Sequence, residues 1–178
     1  KIAEGLIGPF NKENSEELKE KIEQMALARI RQLSAHEVGH TLGIAHNFAA
    51  STDNRASVMD YPHPLVTLTT DGEVSLNDAY DTGIGEWDKQ VVAYGYSDFG
   101  GMPSEQEQLD RILQQNKSLG LSFISDRDAR PVGGAHPTAH LWDNGSDAVT
   151  ELERLLNVRK QVLNNFGQHQ LPSDAALS

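Results

Sequence analysis

The strongest constraint on this chain is a set of residues with the spacing HExxHxxGxxH, namely His36, Glu37, His40, Gly43 and His46. Residues four apart on a helix differ by about 40° in direction, so His36 and His40 present their imidazoles to one point. Gly43 allows the backbone to turn sharply out of the helix, and His46 can then return as a third ligand. The spacing therefore predicts a helix and a following loop that bind one metal ion together.

The same pattern indicates which metal and what kind of site. Three neutral imidazole nitrogens and one water form the open tetrahedral site of a catalytic zinc. Glu37 lies beside the histidine pair, and its side chain can reach that water as a general base without becoming a ligand. We predict one zinc per chain, bound by His36, His40 and His46. A polar helix face with incidental histidines is disfavoured because Gly43 and His46 are also in register.

Composition excludes several other classes. The chain has 178 residues, no cysteine and a formal net charge of -11. Any metal must therefore be held by His, Asp or Glu, and disulfides and thiol catalysis are excluded. An acidic surface repels phosphates, which argues against a nucleic-acid partner. No apolar run reaches the length of about 18 residues that a membrane-spanning helix needs.

Helical patterns alternate with irregular segments along the chain. Apolar residues at helical spacing predict a helix from Ser15 into the motif, with a break before Leu33 as the alternative. Ser104 and Glu107 form a capping-box pattern that predicts a second helix start. The predicted segments are a strand remnant or docked loop over 1–10, a helix over 15–42, an irregular region over 44–85 with a turn at Asp71 and Gly72, helices over 86–96 and 104–120, a loop over 125–146 and a helix over 147–166.

These elements indicate an α+β fold that is mainly α in this chain. We assign residues 1–100 to a zinc-binding catalytic core and residues 101–178 to a mainly helical C-terminal subdomain. The chain starts at Lys1 and no signal-like segment follows, so we expect it to be cut from a longer protein.

A second motif supports a family resemblance. The sequence SVMDYP over residues 57–62 places Met59 thirteen residues after His46. With the histidine motif, it resembles the Met-turn of metzincin zinc metallopeptidases. The chain is most similar to the large bacterial zinc-dependent "Met-zincin" metalloproteases, in the stretches ARIRQLSAHEVGHTLGIAHNFAAS, SVMDYP and GEWDKQVVAYGY.

The resemblance implies a metzincin-like catalytic domain with a long active-site helix and a Met-turn. Met59 would form an apolar floor beneath the histidines, and Tyr61 would lie near the zinc, where it could ligate the metal or donate a hydrogen bond to the oxyanion. The implied function is a zinc-dependent metalloendopeptidase that acts on peptides or proteins. By the same resemblance the protein would be secreted or periplasmic.

Metzincins also carry a sheet before the active-site helix, and only about 14 residues precede the helix here. We therefore expect that sheet to be largely missing and the isolated chain to be a poor enzyme. The apolar face of the helix would lack its cover, which makes a homodimer plausible; its residues are Leu18, Ile22, Met25 and Ile30.

Two other functions remain open. A non-catalytic module could use zinc only to hold the loop to the helix, although such a site has no need of Glu37. Alternatively, a zinc hydrolase could act on small amides or esters. A closed four-ligand site would favour the first, and the absence of a long cleft would favour the second.

Residues outside the two motifs carry weaker predictions. Asn47 is expected to anchor the turn by bonds to the backbone. The aromatic stretch over 87–96 is interpreted as core packing of a short helix, with a substrate subsite as the alternative. His63 is expected in a loop, where it could also line the cleft. A second group is likewise expected in loops and could alternatively form a second metal site: His136, His140, Asp126, Asp128 and Asp143.

Overall fold

The computed structural model describes Leu6 and residues 15–101, 104–133 and 136–166. The described part is mainly helical with one small antiparallel sheet, which is compatible with the expected α+β class. Its elements in chain order are α1 (Ser15–Thr41), β1 (Thr67–Leu68), β2 (Val74–Ser75), α2 (Glu86–Tyr96), α3 (Glu105–Ser118), α4 (Asp126–Ala129) and α5 (Ala148–Asn165). The prediction for residues 1–10 lies outside the described residues except at Leu6.

The long helix α1 is continuous, so the alternative with a break before Leu33 is wrong. It ends as predicted at Gly43, which has a positive φ of 78°. The N–H of Ile44 donates to the carbonyl of Gly39 at 3.0 Å, and the N–H of Gly43 donates to the carbonyl of His40 at 2.9 Å. These two bonds form a Schellman motif, which turns the chain away from the helix axis directly after the second histidine.

The predicted helices are confirmed in α2, α3 and α5, but one predicted cap is wrong. The Ser104 hydroxyl donates to the Glu107 carboxylate at 2.7 Å and makes no bond to the helix backbone. Two elements were not predicted, because they are too short to show a periodic pattern. They are α4, inside the expected loop, and the hairpin of β1 and β2, inside the expected irregular region.

The hairpin pairs Thr67 with Ser75 and Leu68 with Val74. The predicted turn forms its end, where Gly72 has a φ of 81° and its N–H donates to the carbonyl of Thr69 at 3.0 Å. A positive φ costs glycine little, so this position suits a tight turn.

The chain forms two compact units. The first contains Lys1–Arg29, Pro64–Tyr80 and Val149–Ser178, and the second contains Ile30–His63 and Asp81–Ala148. The division at residue 100 was made by expected function, whereas these two units are defined by compactness. The functional division stays a prediction.

The core of the first unit corrects one expectation. Leu18, Ile22 and Met25 of α1 pack against a buried cluster, so the expectation that they lack a cover is wrong. Covering such a side chain fully is worth about 1.5–3 kcal/mol. The fourth member, Ile30, is 58% exposed. The buried cluster consists of Val66, Val74, Leu76, Ala79 and Val158.

The second unit contains two buried clusters near the predicted motifs. One contains Ala56, Val58, Met59 and Trp87. The other contains Phe48, Ala129 and Ala139, with Tyr61 packed against it. In the part of the chain that the structure describes, no helix is both long and apolar enough to cross a membrane.

Candidate metal centre

The three histidines of the first motif lie together in the second unit. His36 and His40 come from consecutive turns of α1, and His46 comes from the loop after the Schellman motif. Their candidate ligand atoms all lie within 4.8 Å of one another. The Nε2 atoms of His40 and His46 are 3.1 Å apart. Two nitrogens bound to one tetrahedral zinc are roughly 3.3 Å apart, so this spacing suits a shared metal.

A hydrogen bond at the other ring nitrogen orients each imidazole. A carbonyl or carboxylate oxygen can only accept, so each Nδ1 carries the hydrogen and each Nε2 is left with a lone pair. The acceptors are the carbonyl of Val58 for His36 at 2.7 Å, the carbonyl of Ile44 for His40 at 2.9 Å and the carboxylate of Asp126 for His46 at 2.8 Å.

Burial at His36 provides a test of whether a metal fits. The residue is 0% exposed, and its Nε2 is buried without a hydrogen-bond partner. Burial lowers the pKa of His36, while its bond to Val58 acts in the opposite direction. A neutral imidazole with an unpaired buried nitrogen is costly unless something binds the lone pair. A divalent metal such as zinc satisfies that requirement.

Met59 packs against α1 at Gly39. It is 1% exposed, and a Cβ placed on Gly39 would lie 2.3 Å from its Sδ. Gly39 stands between the two histidines on α1, so the absence of a side chain there lets Met59 approach the helix. Sequence reasoning missed Gly39, although a glycine inside a helix costs about 1 kcal/mol relative to alanine and therefore suggests a packing reason.

The turn that carries Met59 is organised by a buried carboxylate that sequence reasoning also missed. Asp88 of α2 is 3% exposed. It accepts from the Ser57 hydroxyl at 2.6 Å and from the N–H of Val58 at 2.8 Å. The N–H of Gly85 donates to the same carboxylate at 2.7 Å. Asp88 thus ties the Met-turn to the start of α2, and a lone Asp in a helix carries no sequence signal for this role.

Tyr61 lies against the triad, as the family resemblance implied. Its ring centroid is 4.6 Å from that of His36 and 4.9 Å from that of His46. The ring centroid of Trp142 lies 5.6 Å from that of Tyr61, and the backbone N–H of Trp142 donates to the Tyr61 carbonyl at 2.9 Å. Trp142 has a φ of 63°, which is unusual for a bulky residue. The sequence did not single out Trp142, which is 48% exposed beside Tyr61.

Glu37 follows His36 on α1 and is exposed. Burial lowers the pKa of His36, and the negative charge of Glu37 acts weakly in the opposite direction. The structure therefore leaves Glu37 accessible to water beside the candidate metal ligands.

Asp60, between Met59 and Tyr61, is buried in the same turn. It accepts from the N–H of Tyr61 at 2.7 Å and from the N–H of Ser51 at 3.1 Å. Burial raises the pKa of Asp60 to about 7, and the charge of Asp143 acts in the same direction. This carboxyl group supports the turn. Among the described residues, no hydrogen bond joins it to the histidines.

The prediction for Asn47 is confirmed. Its side-chain oxygen accepts from the N–H groups of Ala49 at 3.3 Å and Ile124 at 3.1 Å. Its amide group donates to the carbonyl of Ser122 at 2.9 Å. Asn47 is 0% exposed, so these bonds hold the loop after His46 against a distant part of the chain.

The group considered for a second metal site is dispersed. Asp126 instead binds His46; burial raises its pKa, but the hydrogen bond and charge of His46 outweigh burial and lower it. His136 Nδ1 accepts from the N–H of Thr138 at 3.2 Å, which is the expected local turn bond. His140 Nδ1 donates to the Leu141 carbonyl at 2.5 Å. Across the described residues, His36, His40 and His46 are the group of side chains able to hold a metal.

The aromatic stretch of α2 divides between two environments. Trp87 is buried and stacks on Phe123 at 5.3 Å, which confirms the predicted core packing there. Tyr94 and Tyr96 are 43% and 59% exposed, so core packing is wrong for them. They line an apolar cavity of about 490 Å³ together with residues 42–45. His63 is exposed on its loop, with its ring 5.8 Å from Trp142.

A comparison with known families identifies the class to which this site belongs. The sequence model of the Met-zincin family matches residues 18–178. The chain belongs to the Met-zincin family. No curated protein and no solved structure matches it. The match covers both motifs of this Met-zincin, and with the histidine triad it indicates a zinc-binding, metallopeptidase-like domain.

Proposed function

We propose that this Met-zincin domain is a zinc-dependent metalloendopeptidase, in which His36, His40 and His46 bind one zinc ion. The observation that carries the proposal is the buried, unpartnered Nε2 of His36 next to two further imidazoles whose Nδ1 atoms are already hydrogen-bonded. The described group has three members, and a site with three protein ligands keeps the open position that catalysis needs.

When bound, zinc would supply a water of lowered pKa and would polarise the carbonyl of the scissile peptide bond. The carboxylate of Glu37 takes the proton from the attacking water and passes it to the leaving amine nitrogen. Its exposed position beside a buried ligand suits a base that must meet both solvent and substrate. Glu37 itself remains outside the ligand set.

Tyr61 and Met59 are proposed to have supporting roles that differ in kind. The Tyr61 hydroxyl would donate a hydrogen bond to the developing oxyanion, because its ring lies against two of the three ligands. Met59 would form the apolar floor of the site, which its burial against Gly39 supports. Gly43 directs the chain so that His46 reaches the other two histidines.

The substrate class and the location remain proposals from the family. We propose peptide or protein substrates and a secreted or periplasmic site of action. The sheet in the described residues has two strands of two residues each, which gives an extended substrate little edge to pair with. Low activity of the isolated chain therefore stays a prediction. A homodimer of it also stays a prediction, although three of the four residues from which it was expected pack against a buried cluster.

The test is a charge-neutral substitution of the proposed base. Glu37→Gln should retain zinc, because Glu37 is not a ligand, but should lower the rate of peptide cleavage by about 10²–10⁴-fold. Glu23 is another exposed glutamate on the same helix, so Glu23→Gln is the matched control. It should leave zinc retention and the rate of peptide cleavage unchanged.

Peptide cleavage by Glu37→Gln at the wild-type rate would refute the assignment of the base. A fourth protein ligand on the zinc bound by the wild-type chain would favour the non-catalytic module. Turnover of small esters without turnover of peptides would favour the small-molecule hydrolase.

A further inference from the structure

We propose that Asp126 is a positioning residue that fixes the third metal ligand, so that α4 is part of the metal centre. This inference rests on the proposed zinc site and extends it beyond the two sequence motifs. Asp126 lies eighty positions from His46 in sequence, and its carboxylate oxygen accepts from His46 Nδ1 at 2.8 Å.

His46 needs such support more than the other two ligands. His36 and His40 stand on a continuous helix, where the backbone restricts their position. His46 lies after the helix end, in a loop without regular backbone bonds. The other two histidines donate to backbone carbonyls, whereas His46 donates to a side chain. A carboxylate that holds a ligating histidine fixes its ring orientation and makes the free nitrogen a stronger ligand.

The segment that carries Asp126 is itself attached to the loop after His46. The N–H of Phe48 donates to the carbonyl of Ile124 at 2.8 Å. The two bonds of Asn47 to Ser122 and Ile124 lie beside it. The N–H of Ser122 donates to the carboxylate of Asp53 at 2.7 Å. The backbone from Ser122 to Ile124 therefore follows the ligand loop and brings Asp126 into reach.

The C-terminal residue of α4, Ala129, is also anchored. Ala129 is 3% exposed and belongs to the buried cluster of Phe48, the second residue after His46. An acidic residue in the first turn of a helix is otherwise common, because it suits the helix dipole. Asp128 has the same charge in the same short helix and is exposed, yet it makes no described bond to the triad. The hydrogen bond to His46 is what distinguishes Asp126.

The experiment measures zinc and cobalt binding, which do not depend on turnover. Asp126→Ala should raise the zinc Kd, measured by competition with a chelator, by about 10–100-fold. Asp126→Asn keeps an acceptor oxygen and should lose less zinc affinity than Asp126→Ala. Asp128→Asn removes the same charge from the same turn and should leave the zinc Kd unchanged. The visible absorption spectrum of bound Co²⁺ should change in Asp126→Ala and not in Asp128→Asn.

A second comparison separates positioning from a general structural effect. In a His46→Ala background, Asp126→Ala should change the remaining zinc affinity by less than about twofold, because the residue acts through His46. Equal zinc Kd and equal Co²⁺ spectra for wild type and Asp126→Ala would overturn the inference and leave the proposed zinc site intact. Failure of the wild-type chain to bind zinc would overturn the proposed function first, and this inference with it.

Discussion

The two halves of the metal centre are held in different ways. In the helix half, the regular geometry of α1 places the backbones of His36 and His40, and the carbonyl of Val58 orients the His36 ring. The loop half, His46 with Met59 and Tyr61, depends on bonds from α2, from α4 and from the segment before α4. Local backbone geometry can align two ligands, but the third requires contacts between parts of the chain that are far apart in sequence.

The largest effect is expected from removing the helix half. His36→Ala combined with His40→Ala should abolish zinc retention, because a single remaining imidazole cannot form the site. Metal analysis after dialysis measures this directly. His63→Ala changes an exposed loop histidine and should retain about one zinc per chain. Equal zinc in the double variant and the wild type would show that the metal binds elsewhere.

The loop half should make the metal-free protein less stable as pH rises, whereas the helix half acts in the opposite direction because burial lowers the pKa of His36. The pKa of Asp60 is about 7 in the folded chain, above its ordinary value of 3.8. Between these values the folded state holds a proton that the unfolded state has released, so stability falls as pH rises through this window. The expected loss is roughly 4 kcal/mol. Urea unfolding from pH 4 to 8 should show that decline, and Asp60→Asn should flatten it.

If Asp60→Asn and wild type lost stability in parallel over the same range, a different group would be responsible for the dependence. The substitution also exchanges one acceptor oxygen for a donor facing a backbone N–H. The absolute stability of the variant should therefore be lower, and the slope against pH is the quantity to compare.

A smaller effect is expected where the two halves touch. Gly39→Ala places a methyl group against Met59 Sδ and should destabilise the chain by about 1–3 kcal/mol, although alanine is the better helix former. Gly95→Ala in α2 meets nothing within 4 Å and should be neutral or stabilising by up to ~1 kcal/mol. Urea unfolding of both variants measures the contrast, and equal stabilities would mean that Met59 can move aside freely.

The histidine spacing was enough to predict that the histidines of α1 point to one place, because that geometry is local. Residues at i and i+4 share a helix face whatever surrounds them, and Gly43 is a residue that tolerates the positive φ found there. The long helix, α2, α3 and α5 followed from periodic apolar residues and turn signals for the same reason. The hairpin and α4 escaped notice because two to four residues are too few to show a period.

Tertiary structure alone decided which residues support the motif. Gly39, Asp88 and Asp126 are ordinary residue types in the sequence, and each acquires its role from a partner between 20 and 80 positions away. The covered face of α1 at Leu18 and Ile22 likewise depends on segments that return much later in the chain. Sequence spacing determines directions along one element, whereas burial and hydrogen bonding depend on which elements meet, and that is settled only when the whole chain packs.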